Sequence, residues 1–202
     1  MFSQGKEERW IAEYFGNNVG MFLDFGANDG ITLSNTRALW LKGWAGVLVE
    51  ASPTAYHKLC ENTKGRIDTV TIEAAIWKED GSIVLHESGE HLRTGDGALL
   101  SSVIEAETIK WKPTTDFREI TVRTMTVATL LSRVAYKTFD FISIDIEGAD
   151  LMALEQMDLT ALGCKMVIVE VNERDPKPYI DHCTKHGLKL MIRNAENLCF
   201  IR

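Results

Sequence analysis

The 202-residue chain contains no apolar run close to the ~20 residues that a bilayer-spanning helix needs. Its opening, Met1-Phe2-Ser3-Gln4-Gly5-Lys6-Glu7-Glu8-Arg9, is charged and lacks the apolar core of a secretory signal. No C-x-x-C pair occurs among Cys60, Cys164, Cys183 and Cys199, so the expectation is reduced thiols in a cytoplasm, with Cys60 and Cys199 buried among apolar neighbours. There is no excess of positive charge. A net charge of −7 and a pI near 5.3 argue against general attraction to nucleic acid or an anionic membrane. Internal repeats, low-complexity tracts and linkers are also absent, which leaves one domain over 1–202.

What is present is an alternation of strand and helix signals. Trp10, Ile11, Tyr14 and Phe15 fall at helical spacing in a segment over 6–16. Strands are expected over 20–25, 45–50, 68–76, 139–144 and 165–171. Helices are expected from Ser34 to Gly43, after Ser52-Pro53, over 127–133, from Asp150 and over 178–186. Ser82 to His86 reads as a short strand turned back at Lys78-Glu79-Asp80-Gly81, and 188–193 with 198–202 as a terminal hairpin. The pattern predicts an α/β fold with a mostly parallel sheet and one antiparallel strand. Residues 87–118 break the rhythm. They are polar, carry Gly89, Gly95, Gly97 and an exposed-looking Trp111-Lys112-Pro113, and read as a lid or substrate loop.

The informative motif is Asp24-Phe25-Gly26-Ala27-Asn28-Asp29-Gly30, directly after Met21-Phe22-Leu23. Glu50 closes the next apolar run, so a strand, a glycine turn, a helix and a second strand ending in a carboxylate follow one another. That is the layout of a nucleoside site in which Glu50 can hold ribose hydroxyls. The spacing is Gly-x-x-x-Gly, and Asp24 and Asp29 would repel a pyrophosphate, which disfavours a nicotinamide dinucleotide. A ligand carrying an ammonium and a sulfonium, as S-adenosylmethionine does, would be attracted.

A second constellation, Asp145-Ile146-Glu147-Gly148-Ala149-Asp150, ends the fourth main strand, where ligands lie in open α/β sheets. Asp145 and Glu147 are the candidate catalytic pair, and Asp150 suits a helix amino terminus. Glu170-Val171-Asn172-Glu173 could join Asp145 in offering oxygens to a hard cation, but the spacing is loose and no metal ligand is assigned. His182 and His186 lie four apart yet lack a zinc-protease Glu, so they read as surface histidines. His86 and His91 are further base candidates because they border the long loop.

The run Phe22 to Gly30 with Leu33-Ser34-Asn35-Thr36, the segment Gly43-Trp44-Ala45-Gly46-Val47-Leu48-Val49-Glu50 and the turn Ile144 to Asp150 resemble the FkbM-type S-adenosylmethionine-dependent methyltransferases. The opening Ser3-Gln4-Gly5-Lys6-Glu7-Glu8 is similar to a leader of one branch of that family. The resemblance implies a Rossmann-like class I methyltransferase fold, with a seven-stranded, mostly parallel sheet and the final antiparallel hairpin at one edge. It also implies a cofactor-binding set of Asp24, Gly26, Asn28, Asp29, Gly30, Ser34, Asn35, Glu50, Ala51, Glu73, Ala74, Ala75 and Asp145. In that set the glycine loop holds the methionine end, Glu50 the ribose, and the region of Glu73, Ala74 and Ala75 lies beside adenine. The expected activity is O-methylation of a small sugar-like or natural-product hydroxyl. Other readings are a methyltransferase acting on protein or nucleic acid, and a cofactor-binding module without catalysis. The absence of an Asn/Asp-Pro-Pro-aromatic turn after the fourth strand argues against amino-methylation of bases.

Overall fold

The computed structural model describes residues 2–92 and 96–202; Met1 and 93–95, with the loop glycine Gly95, lie outside the described residues. Four strands form the centre: β1 (Met21–Phe25), β2 (Ala45–Glu50), β7 (Phe141–Ile144) and β8 (Met166–Glu170). Nearly every residue in them is buried, which is why they read as continuous apolar runs rather than alternating ones. With β3 (Thr69–Glu73), β9 (Lys189–Arg193) and β10 (Asn197–Ile201) they make a seven-stranded sheet of order β3-β2-β1-β7-β8-β10-β9. Strand β10 pairs antiparallel with both β8 and β9, so the expected terminal hairpin closes one edge.

Alternate side chains divide between two helical layers. Phe22, Leu48, Phe141 and Ile168 pack with α1 (Glu7–Phe15), α2 (Arg37–Leu41) and α3 (Pro53–Asn62) through Trp10, Phe15, Trp40 and Leu59. On the opposite face Leu23, Val49, Ile142 and Val169 pack with α5 (Val127–Arg133), α6 (Asp150–Glu155) and α7 (Lys177–Lys185) through Leu130, Leu154 and Tyr179. Ser52 caps α3 by accepting the Ala55 N–H at 3.1 Å, with Pro53 at the first helical position. Among the described residues no helix is long and apolar enough to cross a membrane.

Several expectations need correction. The strand expected over 68–76 breaks at Ala74: β3 ends in the main sheet, and β4 (Ala75–Ile76) enters a second sheet of order β4-β6-β5. The strand expected over 82–86 is longer, β5 (Gly81–Ser88), and it pairs antiparallel with β6 (Phe117–Met125) along its whole length. The second sheet therefore takes the ends of the supposed loop, and the irregular part shrinks to the stretch between Ser88 and Phe117, which also holds α4 (Glu105–Thr108). Finally, Cys60 and Trp111 are both half-buried, whereas the sequence suggested a buried thiol and an exposed indole.

A candidate active site at the carboxyl ends of the strands

Strand order reverses between β1 and β7, and a cleft opens beyond the carboxyl ends of β1, β2, β7 and β8. The chain enters the glycine loop locked between its neighbours. The Gly26 and Ala27 N–H groups donate to Val49 O at 3.0 Å, and the Asp145 N–H donates to Phe25 O at 2.9 Å. This crowding explains Gly26. Its φ is +83°, and a Cβ there would lie 1.7 Å from the Asp145 carbonyl oxygen.

Glu50 then ties the loop down. Its Oε2 accepts the Asn28 N–H at 2.8 Å and its Oε1 the Ser52 N–H at 2.7 Å. Burial pushes its carboxyl up to about 7 despite those hydrogen bonds. Asp24, also buried, accepts the Thr36 hydroxyl at 2.6 Å and is pushed by burial to about 6. Across the cleft, Glu147 sits at a φ of +50°, and burial followed by the charge of Glu170 raises it to about 8. Burial and the Asp145 charge raise Glu170 to about 10, while burial and Glu147 hold Asp145 well above the usual carboxylate range. The result is a cleft short of positive charge.

The roof comes from the stretch between β5 and β6. Ala98, Leu99, Leu100, Lys110 and Trp111 line the cleft opposite the strand ends. Two contacts anchor this roof to the floor of the cleft. The Ser102 hydroxyl donates to the Glu147 carbonyl oxygen at 2.6 Å, and Glu107 of α4 pairs with Arg174 at 2.7 Å. Gly148 makes room for the second, since a Cβ there would meet Glu107 Cγ at 2.7 Å. His91 stacks edge-on against Trp111 with ring centroids 4.9 Å apart.

Of the residues expected at the site, Asp24, Gly26, Asn28, Ser34, Asn35, Glu50, Ala51, Ala74, Ala75, Asp145 and Glu147 all line this cleft. Asp29, Gly30 and Glu73 do not. Asp29 instead accepts the N–H groups of Ile31 and Thr32 at 2.8 and 2.6 Å, which shapes the loop from behind. Gly30 packs under α3, where a Cβ would lie 2.7 Å from Leu59 Cδ1, and Glu73 points to solvent. Asp150 serves the turn, accepting from Ile146 and Gly148 at 2.8 and 2.9 Å. His91 reaches the cleft, but His86 lies in β5 beside Glu119. His182 Nε2 contacts Met157 O at 3.1 Å, so the two α7 histidines do not present a free pair. Sequence reasoning missed Gln4, Thr32 and Glu196, which also line the cleft, as does Asn172 of the Glu170–Glu173 segment. A further signal was visible only in three dimensions. All five non-glycine residues of positive φ among the described residues, Asn28, Leu33, Ala98, Glu147 and Asn172, line this one cleft. Backbone strain of this kind collects at functional sites.

A family model of the methyltransferase FkbM domain matches residues 24–186. The chain belongs to the FkbM methyltransferase family. S-adenosylmethionine is the cofactor of that family. Among solved structures, the METTL16 MTase domain superposes with a TM-score of 0.53 at 10% identity, covering 95% of this chain and 64% of that one. Monomeric WbdD gives 0.54 at 12% identity, covering 98% and 41%. The putative RNA methyltransferase PH1948 from Pyrococcus horikoshii gives 0.51 at 14%, covering 97% and 80%. At these identities the likeness establishes the Rossmann-like methyltransferase fold. The chain spans less than two thirds of the METTL16 and WbdD chains it matches. No curated protein is similar to it in sequence.

The cleft fits S-adenosylmethionine. The buried carboxylates of Asp24 and Glu50, with the half-buried Asp145 near them, suit a ligand bearing an ammonium and a sulfonium. Gly26 lets backbone come close where a side chain would block the way.

Proposed function

We propose that this domain is an S-adenosylmethionine-dependent O-methyltransferase whose acceptor is a hydroxyl of a small, sugar-like or natural-product molecule. The observation that carries the reading is Glu147: a half-buried carboxyl pushed up to about 8 by desolvation and the charge of Glu170, held in the cleft by a left-handed turn that Ser102 fastens from the roof. At neutral pH most of it carries its proton, and the fraction that ionises is a stronger base than an ordinary glutamate and can take the acceptor's proton.

When bound, the cofactor supplies a methyl group on a positively charged sulfur, already a strong electrophile. The chain's own residues then align, dry and deprotonate. Asp24 and the glycine loop hold the methionine end, Glu50 and Ala51 the ribose, and Ala74 with Ala75 lie beside adenine. Trp111 and Leu100 keep water from the acceptor end. In the transfer the methyl carbon would leave sulfur for the acceptor oxygen, S-adenosylhomocysteine would be the leaving group, and Glu147 would take the hydroxyl proton, with Asp145 beside it holding the local charge. An acceptor with a phosphate backbone is disfavoured by the same carboxylates and by the net charge of −7.

The test is a methyl-transfer screen over hydroxylated sugars and metabolites with labelled cofactor. With the acceptor found, Asp145→Ala and Glu147→Ala should lower turnover by ~10²–10⁴-fold, whereas Glu50→Ala should chiefly weaken cofactor binding. Full activity in both carboxylate variants would sink the assignment.

A further inference from the structure

Beyond the cofactor's place, the floor of the cleft brings three carboxylates together from two strand ends and a helix start. One oxygen each from Asp145, Asp150 and Glu170 lie within 4.8 Å of one another. Asp150 is fully buried and held by the N–H groups of Ile146 and Gly148, so it cannot swing away. Glu170, at the end of β8, is 7% exposed, and its Oε2 accepts no hydrogen bond. The cation near it is Arg174. One of its nitrogens is taken by Glu107 at 2.7 Å, and the other stands 3.9 Å from Glu170 Oε2, beyond hydrogen-bond reach, and itself makes no hydrogen bond.

A buried carboxylate oxygen without a donor is costly to leave in place. Three carboxylates this close, one of them with a buried oxygen that has no donor, face one partly engaged guanidinium and call for a further positive charge. We propose that Asp145, Asp150 and Glu170 form a binding site for one divalent, oxygen-preferring cation of the Mg²⁺ or Mn²⁺ type, set in the cleft floor beside Glu147. The chemistry of the donors decides the class: all three are hard carboxylate oxygens, with neither thiol nor imidazole in the set. The sequence offered Asp145 and the Glu170 segment as oxygen donors at a spacing too loose to assign a ligand, because the β7 turn and the β8 end become neighbours only through parallel pairing, with Ile144 opposite Val169. The inference goes beyond the O-methylation reading and does not depend on which acceptor is used.

The experiment is calorimetric titration of MnCl₂ into the full chain, with and without S-adenosylhomocysteine, alongside paramagnetic resonance of free Mn²⁺. One ion per chain should bind. Glu170→Gln and Asp145→Asn should each weaken it by at least ~10-fold, the loss that follows even from disturbing a metal's outer partners. Glu61→Gln, at an exposed carboxylate on α3, should leave binding unchanged. Circular dichroism melts would establish that the variants fold, and two ligand variants guard against one of them failing to. Absence of Mn²⁺ binding in both conditions, or binding indifferent to both ligand variants, would overturn the site. S-adenosylhomocysteine binding without Mn²⁺ removes the ion alone, whereas Mn²⁺ binding without S-adenosylhomocysteine removes the cofactor reading and leaves the ion.

Discussion

The floor of the cleft and its roof differ in how they are held. The floor hangs from four strands buried on both faces, and its loop amides are pinned to neighbouring strand carbonyls at about 3 Å. The roof spans the gap between β5 and β6. It touches the floor through a few identified contacts, chiefly Ser102 on Glu147 and Glu107 on Arg174. Such a division suits an enzyme that must hold one ligand the same way each cycle while admitting and releasing another. On the proposed reading it also separates the roles, with the floor serving the cofactor and the roof the acceptor.

The sharpest way to break that contrast is at Gly26. Gly26→Ala puts a Cβ against the Asp145 carbonyl at a φ no alanine favours. It should cost ~3 kcal/mol or more and abolish cofactor binding, as read by thermal melts and calorimetry. Unchanged affinity would mean the floor is more yielding than its packing implies. A smaller effect is expected at the roof. Glu107→Ala removes the partner of Arg174 across a half-buried contact worth ~1 kcal/mol, and Ser102→Ala removes a hydrogen bond worth ~1 kcal/mol. Both should speed hydrogen exchange in 98–112 and leave the amides of β1, β2 and β7 as slow as before. If the sheet amides speed up equally, floor and roof form one cooperative unit.

The subtlest test is pH. Glu50 and Glu147 keep their protons in the folded state up to about 7 and 8, while an ordinary glutamate loses its proton near 4.5. Over that interval the folded chain binds more protons than the unfolded one, so stability falls as pH rises. The melting temperature of the cofactor-free protein should therefore drop between pH 5 and 8. Glu147→Gln should flatten the upper part of that drop.

The contrast also explains what was legible in the sequence. Continuous apolar runs announced β1, β2, β7 and β8 because both faces are buried. The residues that end them, Gly26, Glu50 and Asp145, therefore stood at readable positions. The second sheet was harder to see. Strand β6 pairs with β5 across a long irregular insertion, and its exposed residues, such as Arg118 and Arg123, look like loop polarity even though Ile120 and Val122 alternate with them. The break at Ala74 leaves no local mark at all, because leaving one sheet for another is a tertiary event. Asp29 and Gly30 were drawn into the site by belonging to the motif, yet their work is to shape the loop from behind. The roof residues carry no motif: composition marked 87–118 as a lid or substrate loop, but which of its side chains, such as Leu100 and Trp111, face the cleft depends on the fold.

The central claim is that the buried carboxylates of the floor select a cationic nucleoside cofactor. Calorimetry with S-adenosylmethionine, S-adenosylhomocysteine and NAD at pH 6, 7 and 8 tests it directly. The expected result is that both adenosyl ligands bind, and that the affinity for the cationic S-adenosylmethionine rises with pH more steeply than that for uncharged-sulfur S-adenosylhomocysteine, because its binding expels protons from the floor. Binding of NAD with neither adenosyl ligand bound, or S-adenosylmethionine affinity that falls as pH rises, would contradict it.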